Sequence, residues 1–274
     1  MRKLQQDINI RLNQSLKKLL KRFPEHLLSS ILDFGFYRKI FRQPLKDSLI
    51  FLLCFSVLVS LMSTIITFIY LSPDIRHFIS WAKTNVPAIS VTEGVLNIEA
   101  EQPLVLKYRG DESWILVFDT KGVYKDTSDF NEPVILLGRE DLQLRIKGQV
   151  QNYSWKDFGT FTVNSGNIDI LSLTLQLIII PLGFLFYFLM SLISKSIQAI
   201  LISPLAYSIA NSYGVRLPFR SSFSIALYSL VPATALDLLV KASGMNIPFF
   251  MFIYITAAII YTYLATKKCV VIEE

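Results

Sequence analysis

Apolar and polar positions divide this chain into blocks of two kinds. Four blocks are long, apolar and almost free of charge. The stretch between the first and second of them instead alternates short apolar runs with turn residues. A helix that crosses a bilayer needs about 20 predominantly apolar residues. Residues 48–71 and 171–194 meet that length with no charged side chain, and a third block at about 221–239 contains one acid, Asp237. The fourth, about 247–266, stops at Lys267 and Lys268. The apolar stretch 199–210 is too short to span alone, and reads either as a helical continuation of the second span or as a segment lying at the interface. Because 47 residues precede the first span, it reads as a retained anchor and not as a cleavable signal.

Between the first two spans the pattern changes to that of strands. Runs rich in branched and aromatic residues fall at 89–91, 95–98, 104–108, 114–118, 134–137, 142–146, 161–163 and 168–170. Turn residues separate them: Glu93-Gly94, Gly110-Asp111, Lys121-Gly122, Asn131-Glu132-Pro133 and Ser165-Gly166-Asn167. Short runs punctuated in this way predict antiparallel hairpins. Residues 73–84 keep a helical period and extend the first span outward. The fold expected is therefore a four-helix membrane protein with an inserted, extracytoplasmic β-rich domain over 72–170. Flanking it are a cytoplasmic region 1–47, the first span 48–71, spans two to four within 171–266 with a cytoplasmic loop at about 195–220, and a tail 267–274.

The first 23 residues carry a second pattern. At about 100° per residue, Leu4, Ile8, Leu12, Leu16, Leu19, Leu20 and Phe23 share one arc, which Ile10 interrupts, and Lys3, Asp7, Lys17, Lys18 and Lys21 lie off it, with Arg2 at its edge. A basic amphipathic helix of this kind lies on an anionic leaflet or packs on the cytoplasmic side of its own protein.

Composition agrees with a membrane chain: 52% of the residues are hydrophobic and 18% are charged, against about 45–50% and about 25% in soluble proteins. Charge sets the orientation. Residues 1–47 carry a net charge of +7 and residues 72–170 a net charge of −4, while the loop 195–220 holds Lys195, Arg216 and Arg220 with no acid. Basic flanks stay cytoplasmic, which places both termini on the cytoplasmic side of the membrane and residues 72–170 outside. The overall charge of +6 thus points to the anionic inner leaflet, and no basic, aromatic-interleaved patch points to nucleic acid. A second membrane protein is the other partner expected.

Catalytic chemistry finds little support. The chain has two His and two Cys, too few for a zinc cluster or a disulfide framework. It lacks HExxH, GxSxG, Walker and GxGxxG patterns, so no cofactor is expected. His26 falls on the cytoplasmic side and His77 just outside the first span. Asp126, Asp129, Asn131 and Glu132 offer oxygen ligands, but their spacing matches no EF-hand loop, and a solvated turn is the simpler reading. Asp237 is the one acid within a span, and intramembrane acids are functional candidates. Lys241 stands four residues on, so an i, i+4 ion pair accounts for it equally. Pro181, Gly183 and Pro232 are helix-breaking positions, used in transporters and tolerated for structural reasons elsewhere. No set of polar residues converges at the midplane in this reading.

Several segments, taken in order, carry a resemblance. They are Phe36-Tyr-Arg-Lys-Ile-Phe-Arg-Gln-Pro44, Val86-Pro-Ala-Ile89, Glu93-Gly-Val-Leu96 and Gln102-Pro103. Val117-Phe-Asp119-Thr-Lys-Gly122, Gly214-Val-Arg-Leu-Pro-Phe219 and Ile225-Ala-Leu-Tyr228 running to Pro232 complete the set. Over about residues 30–266 the chain resembles the bacterial domain-of-unknown-function family 1189. That family is grouped with the Yip-type membrane proteins, and some of its members are called maltodextrin utilization proteins. The resemblance implies a membrane protein with a link to sugar uptake, although no aromatic sugar platform is evident here. The family brings no active site to carry over, and residues 1–25 depart from the compact N-terminus it implies. The function expected is a non-catalytic membrane accessory, scaffold or sensor with an extracytoplasmic binding domain. The alternatives are a component of a carbohydrate transporter, or a membrane enzyme acting on lipid or envelope polymer through Asp119 or His77. The candidate functional residues are Asp237, Lys241, Asp119, Gly122 and Pro232.

Overall fold

The computed structural model describes residues 21–109, 113–127 and 130–270. The amphipathic stripe from Leu4 to Leu20 lies outside the described residues, as do Asp111, Glu112 and Asp129. Residues 21–32 are helical (α1), followed by α2 (Tyr37–Arg42) and four long helices. These are α3 (Leu45–Asn85), α4 (Ile168–Ser212), α5 (Phe219–Ser243) and α6 (Phe250–Val270), each long and apolar enough to cross a membrane. Of the two readings of the apolar stretch 199–210, the structure has the helical continuation: α4 runs unbroken through 195–212, which shortens the expected 195–220 loop to a connection at 213–218. The chain forms two compact units, one containing residues up to Thr67 and from Pro181 onward, the other Phe68–Ile180.

In the first unit α5 is the central element, buried continuously from Ser221 to Val231. Small side chains at Ser221, Ser222, Ser224, Ala226 and Ser229 let neighbouring backbones approach, which is how helices associate where lipid removes the hydrophobic drive. Their hydroxyls also bridge elements: Ser224 Oγ lies 2.6 Å from Ser48 Oγ, and Ser221 Oγ donates to the Phe41 carbonyl at 2.8 Å. The apolar residues of the Phe36–Arg42 segment turn inward. Phe36, Tyr37 and Ile40 are buried in the helical core, while Arg38, Lys39 and Arg42 are exposed. The described end of α1 packs on the same core through Phe23, Leu27 and Ile31.

Prolines sit inside three of the long helices, Pro73 in α3, Pro181 and Pro204 in α4, and Pro232 in α5. Each lacks the N–H that the carbonyl four residues earlier would accept. At Pro204 a side chain makes good the loss, because Ser203 Oγ donates to the Ile200 carbonyl at 2.9 Å.

The second unit holds two sheets. One has the order β2-β1-β8, with β1 (Ile89–Thr92), β2 (Val95–Ile98) and β8 (Phe161–Val163). The other has the order β3-β4-β5-β6-β7, with β3 (Leu104–Arg109), β4 (Ser113–Phe118), β5 (Val134–Leu137), β6 (Asp141–Ile146) and β7 (Gln149–Ser154). The expectation of antiparallel hairpins fails at one place. β4 and β5 are parallel, because the segment 119–133 between them is a crossover too long for a tight turn. The run 168–170 is not a strand but the first turn of α4, with Asp169 placed where a helix N-terminus favours an acid. Asn164 prepares that start, its Oδ1 accepting from the amides of Gly166 and Asn167 at 3.0 Å each. Val91, Leu96, Phe118 and Trp155 form the main core of this unit, and Val117, Val134 and Leu136 a smaller one.

Candidate functional site

One face of α4 carries polar residues at helical spacing: Tyr187, Ser191, Ser194, Lys195 and Gln198. Successive members lie three or four residues apart, or adjacent, so they stack along one side of the helix. They line a cavity of about 410 Å³ to which all four long helices contribute, α3 through Val59 and Ser63, α5 through Asp237 and Lys241, and α6 through Phe250, Met251 and Tyr254. The sequence pattern gives no convergence of polar groups at the midplane; the structure brings these residues together on the wall of one cavity.

Lys195 is the centre of this arrangement. It is 7% exposed. Its Nζ donates to the Tyr254 hydroxyl at 2.7 Å and lies 4.8 Å from the ring centroid. The Tyr254 hydroxyl in turn donates to Gln198 Oε1 at 2.7 Å, and Gln198 Nε2 donates to Ser194 Oγ at 2.9 Å. This is a chain of hydrogen bonds running in one direction from the ammonium. Thr234 Oγ1 approaches the same phenol at 3.4 Å. Thr234 lies nine residues before the end of α5, about 13 Å of helical rise, so the lysine sits well within the length of the bundle.

The charge on Lys195 has no carboxylate partner among the described residues. Asp237 lines the same cavity, yet its Oδ2 accepts from Lys241 Nζ at 2.8 Å, the i, i+4 pair expected from the sequence. Ser191 Oγ, also on the cavity, is buried without a hydrogen-bond partner. An isolated buried cation with spare N–H groups and an unsatisfied hydroxyl beside it is costly unless something else meets them. The arrangement is equipped to hold an anion.

Other candidates from the sequence fall elsewhere. Pro232 is in α5, half-buried. Asp119 is buried in the second unit, where its Oδ1 accepts from the Lys121 amide at 3.1 Å and its Oδ2 from the Tyr124 amide at 2.6 Å. It therefore folds its own loop, in which Gly122 takes a φ of +73° with no atom near the place of a Cβ. His77 is exposed on α3. Glu132 pairs with Lys107, and among the described residues no three His, Cys, Asp or Glu gather as a metal site would need.

Residues 25–266 match the profile of a family described as "Protein of unknown function (DUF1189)". The chain belongs to this family. The match takes in both units and every residue of the Lys195 cavity, so the cavity lies within the family's own span and not in an appendage. No curated protein matches the chain, and no solved structure does.

Lys195 and its neighbours escaped the sequence reading for a simple reason. A charge after an uncharged run of 24 residues reads as the end of a span. The signal that reveals them is the polar periodicity of Tyr187, Ser191, Ser194, Lys195 and Gln198 continuing into the apolar stretch 199–210.

Proposed function

We propose that this chain is a non-catalytic, multi-pass protein of the bacterial cell membrane that acts as an accessory or sensor. It binds a ligand within its helix bundle and engages a second membrane protein, with both termini in the cytoplasm and residues 72–170 outside. The observation that carries this reading is the buried Lys195 cavity, which all four long helices build. A site shared among helices responds to occupancy by shifting how those helices pack, which is what a sensor needs. Asp119 supports the non-catalytic part, since both of its oxygens are engaged by amides of its own loop. Arg216 and Arg220 at the α4–α5 connection and the basic N-terminal segment favour an anionic leaflet on the cytoplasmic side.

Crosslinked co-purification of the full chain from native membranes tests this reading. Stoichiometric recovery of one membrane protein is the expected result, and recovery of the chain alone overturns the accessory role. A second reading, a transport component, draws on the same convergence of Lys195, Asp237 and Tyr254. It predicts that Asp237→Asn abolishes uptake in cells, whereas a role for Asp237 confined to its ion pair with Lys241 predicts only a small loss of stability.

A further inference from the structure

We propose that the Lys195 cavity is a binding site for the anionic headgroup of an amphiphile, a carboxylate or phosphate held by Nζ. The inference rests on the ligand-binding reading above and deepens it by naming the ligand's chemistry.

Three observations converge. First, the ammonium is buried and donates to one neutral hydroxyl, so of its three N–H groups two have no protein acceptor among the described residues. Second, the nearest acid on the cavity is committed to Lys241, so the cavity floor keeps a net positive charge. Third, Ser191 Oγ is buried, unpartnered and on the same wall, available as a hydroxyl donor to the anion that Lys195 attracts. A carboxylate or phosphate oxygen satisfies these donors together, through charge-assisted hydrogen bonds that strengthen where water is scarce.

The rim decides between a free ion and an amphiphile. Met190 and Met251 border the cavity and are 49% and 72% exposed, with Phe250 beside them. Unbranched, adaptable methionines give an acyl chain an apolar way out. A free inorganic anion has no use for such a rim, and a neutral amphiphile leaves the lysine unmatched. The shared chemistry is thus an anionic group carried on a hydrocarbon chain.

The test uses the full chain in nanodiscs of phosphatidylcholine, with binding followed by native mass spectrometry and by equilibrium titration. The probes are oleate, dioleoylphosphatidylglycerol, inorganic phosphate and, as the neutral control, oleyl alcohol. Saturable one-to-one binding of oleate or phosphatidylglycerol is expected, with Lys195→Met weakening it about 10- to 100-fold. Lys267→Met, at the far end of α6, should leave it unchanged. Lys195→Met should also match or exceed the thermal stability of the unsubstituted chain when no anion is present, because burying an unpaired charge is costly. Should that variant fail to fold, Ser191→Leu fills the cavity without touching the charge and is expected to block the same probes. Binding of oleate or phosphatidylglycerol without phosphate identifies a lipid-borne anion and supports the proposal. Binding of phosphate as tight as that of the amphiphiles overturns the amphiphile assignment. Equal binding of oleyl alcohol and oleate overturns the anionic assignment while the ligand-binding reading stands. Absence of any binding, or binding indifferent to the Lys195 and Ser191 substitutions, overturns the site, and the co-purification result then judges the accessory role by itself.

Discussion

The ring of Tyr228 on α5 stacks on the ring of Phe51 on α3, with centroids 4.0 Å apart and planes within 18°. Both residues are fully buried, and Phe55 and Phe36 extend the cluster on either side. Between helices in lipid such contact is the main adhesive. Tyr228→Ala is expected to cost about 2–4 kcal/mol of stability. Tyr228→Phe keeps the stack and is expected to cost less than about 1 kcal/mol. Reversible unfolding in mixed micelles measures both, and equal losses would show that the stack contributes nothing.

Ser203 and Pro204 form a compensating pair. The proline takes an N–H from the Ile200 carbonyl and the serine supplies a hydroxyl to it. Ser203→Ala alone is expected to lose about 1 kcal/mol. In a Pro204→Ala background the backbone amide returns, so the same serine substitution should cost close to nothing. A double-mutant cycle reads the coupling directly, and additive effects would mean that the hydroxyl is incidental.

His26 makes stability depend on acidity. It is half-buried, with Nδ1 3.4 Å from the Tyr228 hydroxyl and its ring edge-on to Phe36. Burial is the largest influence and lowers its pKa below the ordinary 6.5, with Glu25 pulling the other way and Arg22 reinforcing the burial. The folded protein therefore binds this proton less readily than the unfolded chain does. His26 costs the fold nothing above pH 6.5, and stability is lost as pH falls through that value towards the lower folded pKa. Thermal denaturation across that range should show the decline in the unsubstituted chain and a flatter profile in His26→Gln.

Asp119 and Gly122 make a separate, local prediction. Asp119→Ala removes two amide hydrogen bonds inside the β-rich unit and is expected to cost about 1–3 kcal/mol. Gly122→Ala meets no neighbouring atom, so its cost is only that of the positive φ, about 1 kcal/mol. Hydrogen exchange of the peptide covering 119–124 in the full chain checks both. Faster exchange in Asp119→Ala confined to this loop is expected, whereas unchanged exchange would show that the carboxylate does not hold it.

The helices were legible because a long uncharged run has few alternatives, and the strands because branched residues between Gly and Asn turns have few as well. β7 was missed since Gln149–Ser154 is polar and exposed, without an apolar face to mark it. Its only local sign is the preceding turn, where Lys147 and Gly148 both take positive φ, as a two-residue hairpin loop requires. The parallel β4–β5 pair was missed because direction depends on the crossover between strands and not on the strands themselves. Lys195 was hidden by its own charge, which imitates a boundary. Whether a lysine in a helix is terminal or central depends on what the following residues pack against, and here Ala199, Ala206 and Ala210 pack into the helical core.

The first and last strands of the second unit lie side by side, Ile89 opposite Val163, and Lys83 and Asp169 form an ion pair just beyond them. The insert thus leaves and rejoins its helices at neighbouring points, and Phe78 and Trp81 of α3 add a second hold where their rings meet Tyr108 of β3. Two holds on one helix leave the strands no free hinge about α3.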